Sequence, residues 1–339
     1  MLGATGLVGQ RLVARLGSHP IFEPVAVAAS EDRAGTPYDE AVTWRINEPL
    51  PDSLTDLELD VAEPGTLSGD PDLVLSALPG GVAEELEPAF ARDGTFVCSN
   101  ASPERMADDV PLIIPEINEG HLDLIEHQRS QRGWSGALIK NPNCMTTTIT
   151  LPLAALLDFG IEHAAIVSMQ AISGAGTGGV HGVDIVDNVL PDIPGEADKL
   201  ATEPHKLLGT LDSEGIEPRS FTVDAACHRV PVIDGHMATC FITVEDAVST
   251  ETIQSAFEGY PGVDLPSAPD QPIQVVDEPR RPQPRYDRDA GAGMAVTVGP
   301  VEIDGPRIGY TCLAHNTVRG AAGACLLAAE SAAEAGYLG

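Results

Sequence analysis

Basic residues are what this chain is shortest of: 19 Lys and Arg stand against 51 Asp and Glu, a formal net charge of −32. Three of those cations are lysines, Lys140, Lys199 and Lys206. So negative a chain disfavours nucleic acid as a partner, because phosphate contacts need clustered Lys and Arg. With regular apolar runs ruling out disorder, the same imbalance suits a high-salt cytoplasm whose counterions screen self-repulsion, and a halophilic source is expected. No run of about 18 apolar residues occurs, and no leader pattern precedes the first motif, so the reading is a soluble, cytoplasmic protein. The six cysteines (Cys98, Cys144, Cys227, Cys240, Cys312 and Cys325) form no CxxC pair. That argues against a zinc site or disulfide framework, and reduced thiols and no metal are expected.

Also short is the stretch before the first glycine. Gly3-Ala4-Thr5-Gly6-Leu7-Val8-Gly9 opens a helix whose apolar face carries Leu7, Val8, Leu12 and Leu16, yet only Met1 and Leu2 precede it. A dinucleotide-binding fold needs a strand of about five or six residues there. The expectation is that this strand is missing here and that the functional protein begins upstream with a Val/Ile-rich segment.

With 339 residues and 43% apolar content the chain suits two domains. Strand-like runs at 24–30, 72–77 and 94–99 alternate with helical patterns at 7–16 and 82–92. That alternation indicates a doubly wound parallel sheet of Rossmann type. Beyond Cys144 the runs 161–172, 219–227 and 237–244 are longer and partly alternating, which suits an α+β domain with a mixed sheet. The division expected is 1–143 for cofactor binding, 144–315 for catalysis and dimerisation, and a C-terminal helix at 316–339 packing back on the first domain.

Chemistry concentrates in a few segments. In Lys140-Asn141-Pro142-Asn143-Cys144-Met145 a strand breaks and a helix opens on a thiol. The unpaired N–H groups and the dipole at a helix N-terminus favour thiolate, and such a cysteine is a nucleophile for acyl chemistry. A lone cysteine is more often a buried packing residue, so the other segments carry weight. Gly3, Gly6 and Gly9 allow the backbone to approach a pyrophosphate. Ser30 and Arg33 at the end of the second strand suit a 2′-phosphate, whereas Glu31 and Asp32 beside them suit a free ribose, so NADP is favoured over NAD without excluding it. Gln170 precedes the glycine-rich Ser173-Gly174-Ala175-Gly176, and can donate to a substrate oxygen. His236, after Gly235, can move protons near neutral pH, with His228 the weaker candidate. Arg229 offers a planar fork for a carboxylate. Glu196 and Lys199 stand three apart on one helix face, and retention of a lysine there hints at a phosphate contact.

The ordered motifs GATGLVGQ, ALPGG, SNASPERM, NPNCMTT, QAISGAG, GEADK, RVPVIDGH and NTVRGAAG resemble the aspartate-β-semialdehyde dehydrogenase family, archaeal and fungal-type branch, over essentially the whole chain. The resemblance implies NADP-dependent reductive dephosphorylation of 4-phospho-L-aspartate through a thioester on Cys144, in a homodimer or homotetramer. His236 would serve as acid/base and Gln170 would orient the intermediate. Arg229 would bind the α-carboxylate, Glu196 the α-amine, and Arg105 with Lys199 the phosphate, beside Asn143. Gly3, Thr5, Gly6, Leu7, Val8, Ser30, Arg33, Leu78, Pro79, Ser173, Gly174 and Asn316 would contact NADP. Two departures stand out. Met145 replaces the family's Ser after the nucleophile, leaving its backbone N–H for an oxyanion. The segment Ser30–Thr36 displaces the family's Arg and loses its Lys. A malonyl-CoA or succinyl-CoA reductase on the same scaffold, or a non-catalytic paralogue, remains the alternative.

Overall fold

The short apolar runs of the first half become the strands of one parallel sheet, buried on both faces as such Val/Leu/Ile-rich runs require. The computed structural model describes residues 1–213 and 215–338. Val27–Ala29 pairs with Leu59–Val61, while Leu73–Ser76, Phe96–Ser99 and Ala137–Lys140 pair in that order. Leu2 joins the two groups, bridging in parallel to both Ala28 and Ser76. The Leu2 N–H donates to the Leu75 carbonyl at 3.0 Å, Ala77 N–H to Leu2 at 3.0 Å, and Ala28 N–H to Met1 at 2.8 Å. Leu2 thus stands in the central place of the expected first strand as an isolated bridge and not as a full strand. Met1 bonds to Ala26 and Ala28 on one side, and Leu2 to Leu75 and Ala77 on the other.

The apolar face of the helix Leu7–Leu16 differs slightly from expectation. Leu12, Val13 and Leu16 are buried against the sheet, whereas Leu7 and Val8 are half-buried at its open end. The C-terminal helix Gly323–Glu334 returns to this sheet and shares a core with Val27, Leu75, Phe96 and Ile139 through Cys325, Leu326, Ala328 and Ala329. Small side chains let it lie close. It does not start at residue 316: a π-helical turn, Val318–Ala322, comes first.

The second sheet is mixed and six-stranded, in the order Ile273–Val275, Val296–Asp304, Arg307–Ala314, His236–Val244, Ile161–Gln170, Thr222–Arg229. The helix Cys144–Ala155 covers one face, its Met145, Ile149 and Leu153 packing among Ile166, Cys240, Ile242 and Cys312. Alternation along the strands leaves Val167 and Phe241 exposed on the other face. The Pro/Arg-rich stretch near 278–289 is not all loop, since Pro284–Asp287 forms a helical turn pinned by Arg281 to Asp287. No helix among the described residues is long and apolar enough to cross a membrane.

The C-terminal ends of three parallel strands, where such sheets bind ligands, are tied by one carboxylate. Ser76 and Ser99 hydroxyls donate to Glu87 Oε1 at 2.6 and 2.7 Å, and Lys140 pairs with Glu87 Oε2. All four residues are fully buried. Removing one partner strands the other charge. Lys140→Met should cost about 3–5 kcal/mol in urea unfolding, and Lys140→Met with Glu87→Leu should recover most of it. A double variant as unstable as the single one would contradict this reading.

Candidate active site

Asn143 sets the geometry from which the rest of the site is built. It caps the helix Cys144–Ala155, its Oδ1 accepting from Met145 N–H at 2.9 Å and Thr146 N–H at 3.2 Å. A capping Asn satisfies donors that otherwise have no partner. Cys144 is therefore held as the first helical residue, half-buried at the junction. Two expectations change as a result. The Met145 N–H is already taken by the cap, so it is not a free oxyanion donor, and the Met145 side chain lies wholly in the core. The thiol is also not a resting thiolate: burial, with the Glu196 carboxylate, pushes its pKa up to about 12, against the pull of Arg105, Arg229 and Lys199. Desolvation outweighs the helix terminus here.

Glu196 collects the polar groups around that thiol. It accepts from Lys199 Nζ at 2.7 Å, from Asn143 Nδ2 at 3.0 Å and from Gln170 Nε2 at 3.2 Å. Burial opposes its charge, yet these donors hold its pKa below the usual carboxylate value. Lys199 is thus paired with Glu196 rather than standing free for phosphate. Arg229 is buried and donates to the Ala171 carbonyl at 2.7 Å. Arg105 is also buried, held by the Asn100 carbonyl at 2.6 Å and by Glu203 at 3.0 Å.

His236 is the first residue of its strand and fully buried. Its Nδ1 accepts from the Ala171 backbone N–H at 3.0 Å. Because that donor is fixed, Nδ1 must carry the lone pair and the neutral ring must carry its proton on Nε2. Burial and Arg229 push the pKa well below 6.5, in agreement with a neutral ring. Nε2 has no hydrogen-bond partner among the described residues. Gly174 faces it: a Cβ there would lie 2.7 Å from Arg229 Nη1 and 3.0 Å from His236 Nε2. His228 instead turns its Nδ1 to the Ser168 carbonyl at 3.3 Å.

A cleft of about 870 Å³ runs from the glycine turn to this loop, of a size that suits a large ligand. It is lined by Gly3, Thr5, Gly6, Leu7, Val8, Ser30, Arg33, Leu78, Pro79 and Gly174. Ser173 and Asn316 are not on its wall. Asn316 Nδ2 donates to Ser173 Oγ at 2.8 Å and its Oδ1 accepts from Gly235 N–H at 2.8 Å, so the pair braces the turn before His236. The glycine turn fits a pyrophosphate. Gly3 has φ +70° and a Cβ on it would stand 2.6 Å from the Ala77 carbonyl oxygen, and the helix it opens has no side-chain cap. Leu7 N–H instead meets Thr177 Oγ1 at 3.3 Å.

Glu203 escaped the sequence reading. It is buried, and its carboxylate joins Arg105 to the Asn143 backbone N–H at 2.7 Å. Its signal was its place seven residues after Glu196 on the same helix face, one turn beyond Lys199. Among the described residues no cluster of His, Cys, Asp and Glu is placed to hold a metal.

Two buried histidines make the site acid-sensitive. Burial and the Arg11 guanidinium push His315 down to about 4, and His236 lies well below its usual value. The unfolded chain takes up these protons near pH 6.5 and the folded chain does not, so stability falls as pH drops from about 6.5 toward 4. His315→Asn should flatten that slope in melts across pH. An unchanged slope would show that His315 is not held neutral.

Comparison with known proteins agrees with this architecture. Residues 1–125 match the family model described as semialdehyde dehydrogenase, NAD binding domain, and residues 153–319 match semialdehyde dehydrogenase, dimerisation domain. An aspartate-semialdehyde dehydrogenase of Archaeoglobus fulgidus is 50% identical over 331 residues, covering 97% of this chain and 96% of that one. A malonyl CoA reductase (NADP) of Metallosphaera sedula is 37% identical, covering 100% and 97%. The crystal structure of aspartate semialdehyde dehydrogenase with NADP from Candida albicans superposes with a TM-score of 0.89 at 38% identity, covering 98% of this chain and 97% of that one. A capped helix presenting a thiol and a glycine-turn cleft stand on a chain so similar end to end to these enzymes that it belongs to the aspartate-semialdehyde dehydrogenase family.

Proposed function

We propose that this enzyme reduces 4-phospho-L-aspartate to L-aspartate 4-semialdehyde with NADPH, releasing phosphate, as a cytoplasmic step of lysine, threonine, methionine and isoleucine biosynthesis. The observation that carries the reading is the set of charges converging on one thiol: Glu196, Arg105, Arg229 and Lys199 all act on Cys144. An amino acid bearing an acyl phosphate needs an acceptor for its ammonium and cations for its carboxylate and phosphate. Glu196 supplies the first; Arg229 and Arg105 supply the others. We assign residues 1–143 to cofactor binding, 144–315 to catalysis and dimerisation, and 316–339 to a segment packing on the cofactor domain. The exposed sheet face carrying Val167 and Phe241 suits a second copy of the chain, giving a homodimer or a pair of homodimers. The acidic, lysine-poor composition supports a halophilic source.

Cys144 attacks the acyl carbonyl and the C–O bond to phosphate breaks, the leaving phosphate carrying off the thiol proton, so that a thioester remains on sulfur. The glycine turn and the cleft lined by Thr5, Ser30 and Leu78 would hold NADPH, which when bound would supply the hydride that reduces the thioester. As charge builds on the carbonyl oxygen, the Nε2–H of His236 donates to it, a preorganised donor in a water-poor site. In this tautomer His236 is a proton donor at Nε2 and not a base, as with the neutral histidine of other carbonyl-polarising sites. Collapse of the thiohemiacetal returns the thiolate and frees the aldehyde. Substrate also helps to ionise Cys144. Its ammonium neutralises Glu196, the nearest charge opposing the thiolate, while the cations that favour it stay in place.

Cys144→Ala should abolish turnover and leave the fold intact, by circular dichroism and steady-state assay in high salt. His236→Asn should lower kcat by roughly two to four orders of magnitude with modest change in KM. Glu196→Gln should raise KM sharply and, in the free enzyme, lower the thiol pKa from about 12, seen as faster alkylation of Cys144 by iodoacetamide at fixed pH. Slower alkylation would mean that Glu196 does not restrain the thiol. The second reading, a CoA-thioester reductase, draws on the 37% identical relative of that name. Turnover of malonyl-CoA without phosphate, at higher kcat/KM than the semialdehyde, would favour it.

A further inference from the structure

The nucleophile leans on the backbone of a distant turn. A Cβ built on Gly320 would stand 2.6 Å from Cys144 Cβ, 2.9 Å from its Cα and 3.2 Å from its carbonyl oxygen. No side chain fits between them, so the Gly320 backbone forms the wall behind the thiol-bearing carbon. Gly320 lies in the π-helical turn Val318–Ala322, where its N–H donates to His315 five residues back at 3.1 Å. Such turns are rare and recur at functional sites. Asn141, three residues before Cys144, adds weak contacts from Nδ2 to the Gly320 carbonyl at 3.4 Å and the Ala321 carbonyl at 3.5 Å.

One side chain of that turn anchors it to a separate element. Arg319 is the largest fully buried side chain described, and its two terminal nitrogens fork onto Glu116, Nη1 to Oε1 at 2.7 Å and Nη2 to Oε2 at 2.9 Å. Glu116 is itself stiffly held. Its helical turn, Pro115–Asn118, is closed by Asn118, which accepts from Ile114 N–H at 2.9 Å and donates to the Leu112 carbonyl at 2.8 Å, and Tyr260 donates to the Glu116 carbonyl at 3.0 Å. A buried ion pair of this kind adds little stability over apolar residues of similar size, whereas its bidentate geometry fixes position closely. The side-chain hydrogen bonds of Arg319 and Glu116 run to each other and not to Glu196, Arg105, Arg229 or Lys199.

We propose that Glu116 and Arg319 are a positioning pair for Cys144: they fix the π-helical turn so that Gly320 sets where the sulfur stands. This rests on Cys144 being the nucleophile. A shift of about 1 Å in a reacting atom costs on the order of 100-fold in rate.

The test uses the full chain in high salt. Glu116→Leu with Arg319→Met removes the fork without leaving a lone charge, and Gly320→Ala pushes directly on Cys144. Three quantities are read: melting temperature, kcat against KM for aspartate semialdehyde, and the rate of Cys144 alkylation by iodoacetamide in the cofactor-free enzyme, followed on the Cys144 peptide by mass spectrometry. The expected result is a double variant that melts within a few degrees of the parent while kcat falls roughly 10- to 100-fold, KM changes little, and the alkylation rate shifts. Arg319→Lys, which keeps the charge and loses the fork, should be intermediate in kcat. Parent-like kcat and alkylation in the folded double variant would overturn the proposal. So would a fully active Gly320→Ala, which survives as a test if the double variant does not fold. Loss of all alkylation and turnover in Cys144→Ala separates this outcome from failure of the nucleophile assignment itself.

Discussion

Everything at the site depends on how the strand Ala137–Lys140 turns into the helix Cys144–Ala155. Asn141-Pro142-Asn143 breaks the strand, and Asn143 then does three things at once. It caps the helix with Oδ1, gives its backbone N–H to Glu203 and its Nδ2 to Glu196. The thiol, the Glu203 partner of Arg105 and the Glu196 carboxylate are thereby referred to one residue. A helix terminus buried without such a cap would leave donors unsatisfied at a cost comparable to several hydrogen bonds.

The electrostatics that follow are governed by burial and by the charges around the thiol. Burial and Glu196 raise the Cys144 pKa to about 12, hydrogen-bond donors hold Glu196 below its usual value, and burial keeps His236 well below its own. Each is suited to a substrate that brings its own ammonium and anionic groups.

Much of this was legible in the chain itself, for definite reasons. The alternating apolar runs of the first half announced a parallel sheet, and the glycine turn, Cys144, Gln170, Arg229 and His236 could be named because each sits at a strand end or helix start marked by Gly, Pro or Asn. What was not legible depends on tertiary burial or distant pairing. The pKa of Cys144 reverses the helix-terminus argument because desolvation cannot be read from neighbours in sequence. Met145 N–H looked free for an oxyanion until the cap was seen to occupy it. The fork of Arg319 on Glu116 spans 203 positions, and no local pattern signals it. The place of the first strand was legible from the glycine turn that follows it, and Met1 and Leu2 bond there to the strands on either side.

The scarcity of lysine acquires a meaning once the fold is known. Lys140 is fully buried on Glu87, Lys206 is buried with Nζ on three backbone carbonyls, and the amino terminus is buried at the Ala26 carbonyl. Lys199 alone among the described lysines keeps a third of its side chain in solvent, 34%, at the mouth of the site. Among its lysine side chains the folded molecule therefore presents an amine-directed reagent with essentially one address.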